Sequence, residues 1–349
     1  MAQVEHYGDL DGQLVQAVTL EGGGLCVRLI TYGARLTELW VPGRDGAPAD
    51  IVLGHDTLED YRATKTFFGA TAGRYANRIR EGRFRLQGQD HQLDRNEGAN
   101  HLHGGAQGFD RKVWRLADHS ATWATLTATS PDGEMGFPGA CDLNVTYELT
   151  DDSLRVTMAA TTDRPTIMNM VHHSYFNLAG HASGDVLSHE LRLDAPFYTP
   201  VDGELLTTGE VLSVHGTPFD FTTAKPIGRD LDALAGVGGA VFGEGGGYDH
   251  NWCLAGAGED LRLCAEVRDP ASGRRMTLHT SEPGVQVYTG GYLEESVIGK
   301  GGVPYAKFGG FTLETQKFPG TPSHAHFPTC TLLPGEAYRH EMVFGFSSD

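Results

Sequence analysis

The sequence has no apolar run of 18 residues, no Cys-x-x-Cys pair and no segment with three clean turns of amphipathic helix. The first absence excludes a membrane-spanning helix. The second bears on the five cysteines, Cys26, Cys141, Cys253, Cys264 and Cys330. Odd in number and widely scattered, they read as buried thiols of a reducing compartment, not as a disulfide framework or a zinc ribbon. The third argues against helical bundles. Basic residues are also scarce, with 27 Lys and Arg against 45 Asp and Glu, a net charge of −18. A chain so acidic is repelled by phosphate backbones and anionic lipid heads, so neither nucleic acid nor a membrane is an expected partner; a neutral polar ligand is indifferent to it. The opening MAQVEHYGDLDGQ has neither a basic nor an apolar leader region, and the expected location is the cytoplasm.

Glycine, by contrast, is plentiful at 47 of 349 residues and without a collagen-like period, which implies many turns. Between the turns, period-two alternation dominates. In CDLNVTYEL, residues Cys141, Leu143, Val145, Tyr147 and Leu149 point one way; after a short polar turn, Leu154, Val156, Met158 and Ala160 continue the apolar face. That is a hairpin with one wet face. Leu261, Leu263, Ala265 and Val267, then Met276 and Leu278, predict a second. Only Asp56 to Thr64 and Pro226 to Leu234 suggest short helices, the latter with proline near its start. The 349 residues read as one all-β domain. The glycine-dense stretch from Gly236 to Gly247 contains GVGGAVFG, which lacks the GxGxxG spacing and follows no strand, so it reads as a loop and not a nucleotide site.

Sixteen histidines include His101-x-His103, His172-His173 and His324-x-His326. Histidines two apart on a strand share a face and can supply two metal ligands, but no CxxC, HExxH or histidine–carboxylate cluster offers a third nearby, so no metal is expected. Acid–base chemistry is the competing use of histidine. In FTLETQ, residues Phe311, Leu313 and Thr315 share one face and Thr312, Glu314 and Gln316 the other; in GVQVYTG, Gln286 opposes Val285 and Val287. Such polar faces either line a groove or are simply solvated; alternation does not choose between these, though on pattern alone a solvated face is the expectation.

Six strings do choose. GRYANRI (Gly73 to Ile79), NHLHGGAQGFD (Asn100 to Asp110), HHSYFNLAG (His172 to Gly180), YDHN (Tyr248 to Asn251), PGVQVYTG (Pro283 to Gly290) and LETQKFP (Leu313 to Pro319) together resemble the aldose 1-epimerase family, in order and along the whole chain. The resemblance implies a β-supersandwich of large antiparallel sheets with a sugar groove on a concave face. It implies Glu314 as general base, His173 as general acid and His103 as a second histidine at the reacting centre. Asn77, Arg78, Asp249 and Gln286 look like hydroxyl anchors. Tyr175 is either a further contact or a tyrosine packed beside the groove, and Arg74 is the less suitable alternative to Arg78. His172, facing away from its neighbour, is structural.

The implied reaction interconverts the α and β anomers of free hexoses such as galactose and glucose. A proton leaves the C1 hydroxyl while another reaches the ring oxygen; the open aldehyde then rotates and recloses. The chemistry needs no cofactor, and the partner is a small monosaccharide. A bell-shaped pH–rate profile follows, with the acid limb expected from protonation of Glu314 and the alkaline limb from deprotonation of His173. One departure touches the groove rim: the chain reads PGTPSHAHFP where an acidic residue and an asparagine are usual. A non-catalytic sugar binder and an epimerase of phosphorylated hexoses remain as rivals, the second wanting more basic residues at the groove than these motifs offer.

Overall fold

The computed structural model describes residues 2–234, 246–256 and 260–349. Most of the glycine-dense stretch lies outside them. Three antiparallel sheets carry the architecture. Five N-terminal strands form a meander from Gln3–Leu10 to Pro48–Asp50. A nine-stranded sheet runs from Arg115–His119 through Cys141–Thr150, Ser153–Thr162 and the C-terminal Tyr338–Ser348 to Lys225–Pro226 at its edge. A third sheet orders Leu212–Ser213, Phe197–Thr199, Asp249–Cys253, Gly284–Tyr288 and Thr312–Gln316. One buried cluster joins them: Val18 and Leu29 come from the first, Val145, Val156 and Phe344 from the second, Val285, Val287 and Leu313 from the third. This is the all-β supersandwich that the alternation and the resemblance imply. Among the described residues no helix is long and apolar enough to cross a membrane.

The first predicted hairpin forms in full register, with Leu149 opposite Leu154 and Val145 opposite Met158. The second forms with a difference. A bulge between Leu263 and Ala265 inserts Cys264 into the buried set, so the four apolar residues do not share one face and Leu261 is 37% exposed. A bulge resets the two-residue period that sequence reading assumes constant. Of the two predicted helices, the first is real but shorter: Thr57 caps Leu58–Ala63 by accepting from the Asp60 amide. The second is not a helix over its length. Lys225–Pro226 pairs with Glu190 and Leu191 at a sheet edge, where the missing proline N–H leaves no ladder bond unmade, and only Leu231–Leu234 turns as a 3-10 helix.

All five cysteines are unpaired. Arg74, the alternative sugar contact, is committed elsewhere. It is 1% exposed, and its guanidinium donates to the carbonyls of Pro138 (2.8 Å), Gly139 (2.8 Å) and Ser130 (3.2 Å) and to the Thr166 and Ser130 hydroxyls. It staples loops on which the nine-stranded sheet turns. Replacing Arg74 with methionine strands these acceptors, and we expect a stability loss of about 3–5 kcal/mol in urea unfolding; a loss below about 1 kcal/mol would show that the staple is dispensable.

Candidate functional site

Three cross-strand rows of the third sheet share one face. Asp249, Tyr288 and Thr312 form the first, Asn251, Gln286 and Glu314 the second, Cys253, Gly284 and Gln316 the third. The alternate residues Val285, Val287 and Leu313 turn into the core. Period two therefore places Asp249, Asn251, Gln286, Thr312, Glu314 and Gln316 on the opposite face, while His250 and Thr315 turn inward with the valines. That face is not solvated: Glu314 is 2% and Gln286 4% exposed, because other segments close over it.

Two such segments bring histidines. Val171–His173 pairs with Ala70–Ala72, His173 opposite Ala70, and delivers the His173 ring to the polar face. His172 points away and is held by the Ser174 hydroxyl at 2.8 Å. The second segment is a pair of left-handed turns. Asn77 (φ 65°) and His103 (φ 50°) face each other where Arg78–Ile79 pairs with His101–Leu102. The His103 amide donates to the Asn77 carbonyl, and the Asn77 amide donates to His103 Nδ1 at 3.2 Å. The following Gly104 is required, since a Cβ there would lie 1.7 Å from the Gly73 carbonyl oxygen. His101 and His103 consequently do not share a face. His101 is buried and bonds the Asp94 carbonyl at 2.7 Å.

The result is a cavity of about 200 Å³ lined by Asn77, Arg78, His103, His173, Tyr175, Asp249 and Glu314, with Lys65, Phe67, Tyr288 and Tyr292 around them. Side-chain donor and acceptor atoms of His103, His173 and Glu314 lie within 4.8 Å of one another. His173 Nε2 stands 3.5 Å from Glu314 Oε1, and that oxygen accepts from the Thr312 hydroxyl at 2.9 Å. The His173 ring is sandwiched between Phe67 and Tyr175, at 28° and 30° to their planes. Burial pushes the Glu314 carboxyl up to about 8 and the His173 imidazole down to about 4. His103 falls well below its ordinary value through burial and the neighbouring His173.

At the other pole Arg78 donates from Nε and Nη2 to the two oxygens of Glu97, at 2.7 and 2.6 Å, and among the described residues its Nη1 bonds no protein group. Asp249 accepts from Gln286 Nε2 at 2.6 Å through Oδ1, and no described residue bonds Oδ2. Its pKa is raised by burial against the opposing pull of Arg78. Gln286 itself does not line the cavity; it stands behind Asp249 and orients it. A wider depression of about 730 Å³, beside Arg111, Lys112 and Arg115, gathers no such acid–base cluster. The site residues named from sequence otherwise converge here. Phe67, Glu97 and Tyr292 were not foreseen, as they lie outside the six motifs. Thr312 was visible as a same-face neighbour of Glu314 without a role.

The histidine–carboxylate trio that sequence spacing did not reveal has the composition of a metal site. The donor geometry speaks against that use. His103 Nδ1 accepts a backbone N–H, so the neutral ring carries its proton on Nε2 and has no lone pair there for a cation.

These features are those of an acid–base site in a buried polar cavity. The comparisons agree. The aldose 1-epimerase family profile matches residues 16–345. Galactose mutarotase of Bos taurus is 40% identical over 345 residues, 98% of this chain and 97% of that protein; aldose 1-epimerase of Escherichia coli K12 is 36% identical over 343, 97% of each. The solved galactose 1-epimerase of Lactobacillus acidophilus superposes with a TM-score of 0.85 at 30% identity, over 100% of this chain and 99% of that one. The chain belongs to the aldose 1-epimerase family, and its activity is that of a carbohydrate isomerase, a mutarotase.

We expect nitrogen-15 spectra at pH 7 to show His103 as the Nε2–H tautomer, unchanged by equimolar zinc. An Nδ1–H tautomer, or a zinc-induced shift of His103 and His173 together, would reinstate the metal.

Proposed function

We propose that the cavity binds the pyranose form of a free hexose, galactose or glucose, and that Glu314 and His173 open and reclose its ring. The observation that carries this is the meeting of Glu314, His173 and His103 at one pole of a buried cavity, with the half-free hydrogen-bonding groups of Arg78 and Asp249 at the other. Glu314 takes the proton of the C1 hydroxyl as the C1–O5 bond breaks and C1=O forms, and His173 Nε2 gives its proton to O5. Rotation about C1–C2 and the reverse transfers yield the other anomer. No redox group, metal or net proton change is needed. His103, a fixed Nε2–H donor, supports the oxygen that carries developing charge. Asn77 stands beside it, its own Oδ1 occupied by the Arg78 amide at 2.8 Å. Tyr175 walls the cavity and stacks on the acid. Unpaired cysteines suit a cytoplasmic location.

A phosphorylated hexose fits less well. Arg78 is already flanked by Glu97 and Asp249, so its pole carries surplus negative charge, and only Lys65 at the rim opposes it. A binder without turnover would have no use for a buried acid and base in contact.

The protonation states refine the expected profile. With the Glu314 carboxyl up at about 8 and the His173 imidazole down at about 4, the pair's one proton rests on Glu314. That is the distribution left after ring opening. The reactive distribution, carboxylate and imidazolium, holds the same number of protons and is favoured as sugar hydroxyls solvate both charges. The rate is therefore level between the two limits. The acid limb is His173 gaining a second proton for the pair, and the alkaline limb is Glu314 losing the last, the reverse of the sequence-based assignment.

Two measurements follow. Glu314→Gln and His173→Asn should each lose on the order of 10²-fold or more in kcat by polarimetry while calorimetry still records sugar binding; near-wild-type turnover in Glu314→Gln removes it as the base. Asp249→Ala and Arg78→Ala should each raise KM by roughly tenfold or more, since each loses a charge-assisted bond, and an unchanged KM in both would displace the sugar from this cavity.

A further inference from the structure

We propose that Thr312 is a positioning residue for Glu314, holding its carboxyl by Oε1 in place against His173. The inference rests on the reading of Glu314 as the base. Thr312 and Glu314 are two apart on one strand and therefore side by side on the polar face. Thr312 is fully buried, so water does not compete for its hydroxyl, which donates to Oε1 at 2.9 Å. Oε1 also faces His173 Nε2 at 3.5 Å. Oε2 is buried and has no hydrogen-bond partner among the described residues. Among the described residues the Thr312 bond is the one hydrogen bond the Glu314 side chain receives.

The titratable groups around Glu314 make that bond consequential. His173 and Tyr175 approach from one segment, His103 from another, Tyr288 from the adjacent strand, Asp249 from the strand beyond it, Arg78 from the opposite pole and Lys65 from the rim. Of the cations, Arg78 is clamped by Glu97; Asp249 opposes a charge on Glu314, and burial opposes it further. Thr312 is the nearest group that favours the carboxylate. It also blocks rotation that would exchange the two oxygens.

The sequence pattern alone does not demand threonine. Valine has the same shape and suits a strand equally well, so Thr312→Val removes the hydroxyl and little else. The protonated-carboxyl band of Glu314, identified in infrared difference spectra by its loss in Glu314→Gln, reports the titration directly. We expect Thr312→Val to shift its midpoint upward by about one pH unit, the size of one hydrogen bond to a charged group. We further expect kcat at neutral pH to fall about tenfold, KM to stay within about twofold, and Thr312→Ser, which keeps the donor, to return both quantities most of the way to wild type. An unmoved midpoint, with or without a fall in kcat, overturns the inference alone, as does a Thr312→Ser variant no better than Thr312→Val. Full turnover by Glu314→Gln overturns the base assignment and this inference with it.

Discussion

Removing a carboxylate from water costs several kcal/mol in a protein even after relaxation, and Glu314 sits on a strand whose five residues are all buried. The features of the site offset, exploit or transmit that desolvation. The core behind the strand, through Leu313 and the valines of its neighbour, fixes where the carboxyl stands. The aromatic rings about His173 keep water from that imidazole. The same exclusion raises the pKa of Glu314 and lowers that of His173. An exposed glutamate and histidine at this distance would both be charged below neutrality and would interact weakly.

The anchors follow a second rule. Each of the two charged groups at the far pole has one side occupied by protein: Arg78 by Glu97, Asp249 by Gln286. An arginine held at Nε and Nη2 cannot swing, and a carboxylate held at one oxygen cannot turn over. The free edges are thus aimed before a ligand arrives, which lowers the ordering cost of binding.

Much of this was legible in sequence, but unevenly. Alternation located the hairpin of Cys141–Thr150 and Ser153–Thr162 and put Thr312, Glu314 and Gln316 on one face. It could not say whether that face was wet, because periodicity reports which residues point together and nothing about what covers them. The same blindness let the Cys264 bulge pass, since one inserted residue leaves a run looking apolar. Pro226 looked like a helix start because its fixed φ suits both a first turn and a sheet edge. Motif resemblance supplied His173, His103 and the anchors. Glu97 and Phe67 escaped because their roles exist only through contacts with residues distant in the chain, and the histidine–carboxylate trio comes from three separate segments.

The two-residue period of the site sheet also limits how this sequence can change with time. Adding or deleting one residue within Gly284–Tyr288 would exchange its faces, turning Gln286 into the core and two valines toward the polar face. Insertions between strands carry no such penalty, since a loop's length leaves the phase of the next strand untouched. Drift in chain length is therefore confined to the turns, while each of the short strands bearing Asp249, Gln286 and Glu314 must keep its count. Relatives of very different overall length can share this chemistry, provided that parity within those strands is preserved.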